Sequence, residues 1–205
     1  MIRSTIMLSK KLESYRYEIE KTVKPFLKIE TINEKPRIYH SKFAGHPYLP
    51  KTAEHPLDEN GKQMKLLAQL NFAKIPHLEH MPQKGLLQFF IAADDDLLGL
   101  DFDDQTKQNN FRVVYFPEVI TDESLLVSDF SYIQEVEESY FPIEKELSLS
   151  FTVGEEPVAT GDHRFDHSYS NLDFDEVIDR GGEKNETLWD LFAEELSNEG
   201  HKIGG

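Results

Sequence analysis

His163 and His167 stand four residues apart, each preceded by an aspartate, Asp162 and Asp166. On a helix that spacing puts two imidazoles on one face, as a zinc or iron ligand pair requires. The glutamate that a His-Glu-x-x-His motif would supply between them is missing, so the pair is read as part of a solvated loop and no metal is assigned. Asp94, Asp95 and Asp96, followed by Asp101, Asp103 and Asp104, raise calcium, a hard cation that takes carboxylate oxygens. Counted as an EF-hand loop from Asp94, the chain places Leu98 and Gln105 where oxygen ligands belong; counted from Asp101, the sixth position is Thr106 and the twelfth Arg112. An acidic loop between two strands is expected instead. The third candidate is a cleft rimmed by Gly45 to Pro50, with His46, Tyr48 and Gln69 as polar handles for a small molecule. Its structural alternative is turn geometry, in which Pro47 and Pro50 fix φ and Gly45 adopts a conformation closed to other residues.

Dinucleotide and P-loop glycine patterns are absent from the sequence, as is the Gly-x-Ser-x-Gly elbow of serine hydrolases. No cofactor is therefore assigned, and catalysis is the weaker reading.

The elements that would position these residues follow from periodicity. Leu8, Leu12, Tyr15, Ile19 and Val23 recur at helical spacing, predicting a helix that ends near Pro25. Phe26 to Ile32 and Arg37 to Phe43 read as short strands, and Asp58 to Gly61 as a turn. Leu66 to Asn71, Gly85 to Ala92 and Phe111 to Pro117 read as strands, the second apolar enough to be central with both faces covered. Lys145 to Val153 alternates, with Leu147, Leu149 and Phe151 on one face and Ser148 and Ser150 on the other, as a half-buried antiparallel strand does. Gly154 to Arg180 reads as loop with a short helix around Phe174 to Ile178. Leu188, Leu191, Phe192 and Leu196 predict a late helix capped by Asn185 or Thr187, closed by Gly200, with Trp189 in the core. His201 to Gly205 reads as the entrance to another strand.

The chain has 205 residues, 39 % of them hydrophobic, and a formal net charge of −16. One folded α+β domain over residues 1–205 is expected. The acidity argues against nucleic acid or an anionic membrane as partner, because phosphate binding relies on Lys and Arg displacing counterions. A basic protein fits better. Residues 85–205 hold 7 basic and 29 acidic groups, so an acidic face, or pairing with the more basic N-terminal segment, is expected. There is no cysteine, which excludes disulfides and thiolate chemistry. Without a secretory leader or a run of about 20 apolar residues, a cytoplasmic location is expected. Met1 and Met7 both offer a natural start.

The stretch from Lys42 to Phe90 resembles the YwqG-like family of uncharacterised bacterial proteins. The resemblance rests on Gly45, Pro47 and Pro50, on the segment Leu66, Leu67, Ala68, Gln69, Leu70, Asn71, Phe72, and on Pro82 leading to Gly85, Leu86, Leu87, Gln88, Phe89, Phe90. It continues through Asp94 to Gly99 and Phe111 to Pro117 to the helix around Trp189. It implies an α+β fold with a largely antiparallel mixed sheet, an N-terminal and a C-terminal helix packed against it, and an internal duplication of which this chain holds the first part. Lys202, Ile203, Gly204 and Gly205 echo Lys42, Phe43, Ala44 and Gly45, so the domain is expected to be incomplete at its C-terminus. The family brings no reaction, cofactor or catalytic residue. Two functions are expected in competition: a non-enzymatic interaction protein of immunity or regulatory type that meets a basic partner, and a small-molecule-binding protein or hydrolase using the Gly45 to Pro50 cleft.

Overall fold

A computed structural model describes residues 6–94, 96–133, 140–179, 185–197 and 199–205. Met1, Asp95 of the acidic run and Arg180 lie outside the described residues. In chain order the elements are α1 (Arg16–Lys21), β1 (Lys24–Ile32), β2 (Lys42–Phe43), β3 (Lys65–Asn71), β4 (Leu86–Ile91), β5 (Phe111–Phe116), β6 (Leu147–Glu156), α2 (Phe165–Ser168), β7 (Val177–Asp179), β8 (Glu186–Thr187), α3 (Leu188–Glu195) and β9 (Lys202–Gly204). The fold is α+β, with seven of these strands in a largely antiparallel sheet. The chain divides into two compact units, Glu30–Phe151 and Met1–Ile29 with Thr152–Gly205; β1 and β6 each contribute residues to both.

In the unit Glu30–Phe151 the strand order is β5-β4-β3-β2-β6. The apolar run Leu86–Ile91 is an interior strand, pairing with β3 on one side and with the edge strand β5 on the other, so it lies nearer the edge than the central place its composition predicts. Gln69 and Gln88 fall opposite each other in the β3–β4 register, which places two amides side by side on one face. The acidic loop joins β4 to β5. Its carboxylates serve the backbone: Asp101 accepts from the Asp103 and Asp104 N–H groups, and Asp104 from Thr106. Such Asx geometry uses short acids to turn the chain.

The strand expected over Arg37 to Phe43 is reduced to Lys42–Phe43. The cause is side-chain competition. The carbonyls of Ile38 and His40 are taken by the Gln69 amide and that of Tyr39 by Asn71, so this backbone is satisfied without a ladder.

In the other unit the order is β6-β1-β9. His201 to Gly205 does enter a strand, with Phe26, Leu27 and Lys28 opposite Gly204, Ile203 and Lys202. The core gathers Leu12 and Ile19 with Leu188, Leu191, Phe192 and Leu196 of the late helix, together with Val158, Phe165 and Tyr169. Burying each of the large side chains contributes about 1.5–3 kcal/mol. The first helix is shorter than its periodicity predicts: Ser9 Oγ accepts from the Leu12 N–H and holds the chain in turns up to a 3₁₀ segment at Glu13–Tyr15. The short helix sits at Phe165–Ser168, not around Phe174, and Val177–Asp179 pairs as a strand with Glu186–Thr187. Trp189, expected in the core, is 49 % exposed. It follows Leu188 by one residue, about 100° around the helix, and so leaves the buried stripe.

Thr187 and Asp190 form a capping box at the start of α3. Thr187→Ala should cost about 1 kcal/mol and lower the thermal midpoint by about 2–4 °C, measurable by circular dichroism melts.

Candidate functional site: a cleft over the Gly45–Pro50 loop

The loop after β2 begins with two left-handed residues, Ala44 at φ 56° and Gly45 at φ 76°. A Cβ on Gly45 would lie 2.3 Å from Glu146 Oε1, so only glycine lets that carboxylate lie where it does. Lys42, 2 % exposed, donates to Glu146 Oε1 at 2.7 Å and to the His46 carbonyl. Burial pushes the Lys42 ammonium below its ordinary pKa, with Glu146 opposing. A buried lysine is held charged by such a partner.

Deeper in the loop, the polar atoms are fixed by amides. Gln69 Oε1 accepts from the Tyr48 N–H at 2.9 Å and from Gln88 Nε2 at 2.8 Å, while Gln69 Nε2 donates to Ile38 and His40. Gln88 Nε2 also donates to the Tyr48 carbonyl at 2.8 Å. The chemistry of the partners sets both amide orientations, since a backbone N–H can only donate and a carbonyl only accept. The Tyr48 hydroxyl accepts from the Ile120 N–H, and its ring meets Phe116 edge to face at 5.3 Å. Further along, Pro50 bridges to Leu126, and Val127 N–H donates to the Leu49 carbonyl. This pairing carries the turn at Ser128–Ser131 across the loop.

A cleft of about 840 Å³ opens beside the loop and the turn, lined by Gly45, His46, Pro47, Asp129 and Phe130 among others. The His46 ring stacks on Phe130, centroids 4.6 Å apart at 25°. Tyr132 stands 6.0 Å from Phe130 and 5.6 Å from His55, which ties these rings into one aromatic cluster beside the cleft. His55 Nε2 carries its proton to the Met64 carbonyl, leaving Nδ1 to accept from the Tyr132 hydroxyl. Burial pushes the His55 pKa below its ordinary value, so the ring is neutral at pH 7. The Ser131 N–H holds the Asp129 carboxylate below the usual range, so it is an anion there. Lys65 reaches over the Phe141 ring at 5.5 Å.

Of the three residues selected from sequence, His46 lines this cleft. Tyr48 and Gln69 are both 0 % exposed and stand beneath it, holding the loop that forms its wall. His55, Lys65, Asp129, Phe130 and Phe141 were not singled out by sequence. They come from segments far apart in sequence, and a single sequence carries no sign of the long-range pairings, such as Pro50 with Leu126, that join them.

Elsewhere, His163 is exposed on the approach to α2, which contains His167, and its neighbour Asp162 is engaged by the Arg164 guanidinium. Among the described residues no group of three or more His, Cys, Asp or Glu is placed to hold a metal ion. Nor, among them, is any helix long and apolar enough to cross a membrane. The resemblance between Lys202–Gly205 and Lys42–Gly45 extends to geometry. Lys202 pairs with Glu156 at 2.5 Å, and a Cβ on Gly205, φ 99°, would lie 2.5 Å from Glu156 Oε1.

The residues fixing the loop, from Lys42 through Gln69 and Gln88 to Glu146, fall inside a recognised family region. Comparison with curated proteins gives no match. A family model described as a domain of unknown function, DUF1963, matches residues 41–205, and the chain belongs to that family.

Proposed function

We propose that this chain is a non-enzymatic binding protein of the YwqG-like kind, acting in the bacterial cytoplasm, that receives a basic protein partner at the Gly45–Pro50 cleft. The observation that carries the reading is preorganisation: the cleft wall is fixed from below by Gln69, Gln88 and the Lys42–Glu146 pair. A surface ordered before binding avoids the entropic cost of ordering on contact. The exposed Asp129 carboxylate on this cleft suits an ammonium or guanidinium group. The net charge of −16 would steer such a group inward.

Calorimetric titration with tri-arginine amide tests this. Saturable binding is expected, weakening as salt rises from roughly 50 to 500 mM because screening shortens the Debye length. It should weaken about tenfold in Phe130→Ala. Tri-arginine binding unchanged by both salt and Phe130→Ala would sink the proposal. The volume of about 840 Å³ also suits a small molecule or hydrolase substrate, since ligand pockets run to about 300–1,000 Å³. Binding of an uncharged compound that ignores salt but is lost in Phe130→Ala would favour that second reading.

A further inference from the structure

A second depression in the unit Glu30–Phe151, of about 440 Å³, lies where the ends of β1 and β3 approach Ser148 and Ser150 of β6. Alternation along β6 predicts these serines on the solvated face, yet Ser148 is only 5 % exposed. Its hydroxyl has no hydrogen-bond partner among the described residues. The atom is not sealed in the protein, so it opens onto the depression.

The neighbouring groups share one property: they have protons left to give. Ser41 Oγ accepts the Asn71 backbone N–H, which leaves the Ser41 hydroxyl proton uncommitted. Asn71 Nδ2 gives one proton to the Tyr39 carbonyl, and an amide nitrogen carries two. Ser41 and Asn71 are themselves buried. At the rim, Lys74 and His40 are exposed and have no ion pair among the described residues. The acid on this wall is Glu34, also exposed. What can take up several such spare protons at once is an oxygen-rich acceptor.

We propose that this depression binds a small oxyanion, a phosphate or carboxylate group, through the Ser41 and Ser148 hydroxyls, the Asn71 amide and the Lys74 ammonium. The charge of −16 opposes long anionic polymers, but donors lining one depression act over short range, inside a Debye length of about 8–10 Å at moderate salt. The site is separate from the Gly45–Pro50 cleft in its residues and in its ligand's sign of charge.

Heteronuclear NMR titrations of the whole chain at fixed ionic strength, with inorganic phosphate in one arm and acetate in the other, test it. Saturable shifts are expected at the amides of Ser41, Asn71 and Ser148. Affinity should fall about tenfold in Ser148→Ala and in Lys74→Gln. Lys74 is exposed, so its variant keeps the fold and the test stands even where Ser148→Ala perturbs packing. Saturation by phosphate alone would identify a phosphate site, and by acetate alone a carboxylate site; both outcomes support the proposal. Shifts that grow linearly in both arms, or saturable binding indifferent to both variants, would overturn it.

Discussion

Gln69→Leu should cost this fold about 3–5 kcal/mol, because it removes one side chain and strands several buried partners at about 1–3 kcal/mol each. The Tyr48 N–H and the Ile38 and His40 carbonyls lose their partners together, and Gln88 Nε2 loses one of its two acceptors. The thermal midpoint should drop by roughly 10 °C, measured by calorimetry, with urea unfolding as an independent check. Gln88→Leu alone should cost less, since Gln88 Oε1 has no hydrogen-bond partner to lose. In the double variant the two losses should fall short of their sum by about 1 kcal/mol or more, as for residues sharing a hydrogen bond. A Gln69→Leu protein within about 1 kcal/mol of the parent would mean that the amides are incidental to the loop. The substitution bears on function too. It leaves every residue lining the cleft in place yet frees the wall that carries His46, so a loss of tri-arginine binding in the folded variant would tie preorganisation to recognition.

Gly45→Ala is expected to be comparably severe for a different reason. The backbone there is left-handed, which costs a residue with a Cβ about 1 kcal/mol or more, and the methyl would sit 2.3 Å from Glu146 Oε1. The carboxylate must move away, and the Lys42 ammonium, 2 % exposed, then keeps only the His46 carbonyl. Breaking a buried pair from one side costs about 3–5 kcal/mol. Gly161→Ala is the control: nothing lies within 4 Å of its Cβ and its φ is not positive, so that variant should match the parent or gain a few tenths of a kcal/mol.

The same pair predicts a pH dependence. The folded protein holds Lys42 below its ordinary pKa of 10.5, chiefly through burial. Between the folded pKa and 10.5 the unfolded chain therefore binds more protons, and the Lys42 contribution makes stability rise with pH across that window. Glu146→Gln removes the partner that opposes the shift, so the rising limb should begin at lower pH. Urea unfolding of both proteins across the alkaline range measures this. A Glu146→Gln limb that begins at the same pH as the parent would contradict the pairing.

Several elements were legible from local pattern alone. The apolar run Leu86–Ile91 became a strand paired on both sides, and the stripe Leu188, Leu191, Phe192 and Leu196 found the core. Each of these depends on periods of two or of about 3.6 residues, which hydrophobic burial enforces within a single element. The strand expected over Arg37 to Phe43 is cut to Lys42–Phe43 for the opposite reason. Its β-forming residues are overruled by the amides of Gln69 and Asn71, about 30 residues away, which satisfy its backbone in a non-extended form.

The sequence by itself determined the chemical vocabulary: an acidic chain without thiols, a glycine and prolines fixing a loop, and two glutamines in apolar strands. It pointed to the Gly45–Pro50 loop because turn residues announce themselves locally. Only the tertiary structure decided what those residues do. Strand register set Gln69 against Gln88 and turned both inward, so Gln69 and Tyr48 became the support of the cleft and not its contacts. The pairing of Pro50 with Leu126 brought Asp129 and Phe130 to face His46. Register and long-range pairing are settled by the free energy of the assembled sheet, to which every strand contributes and which no short window of sequence contains.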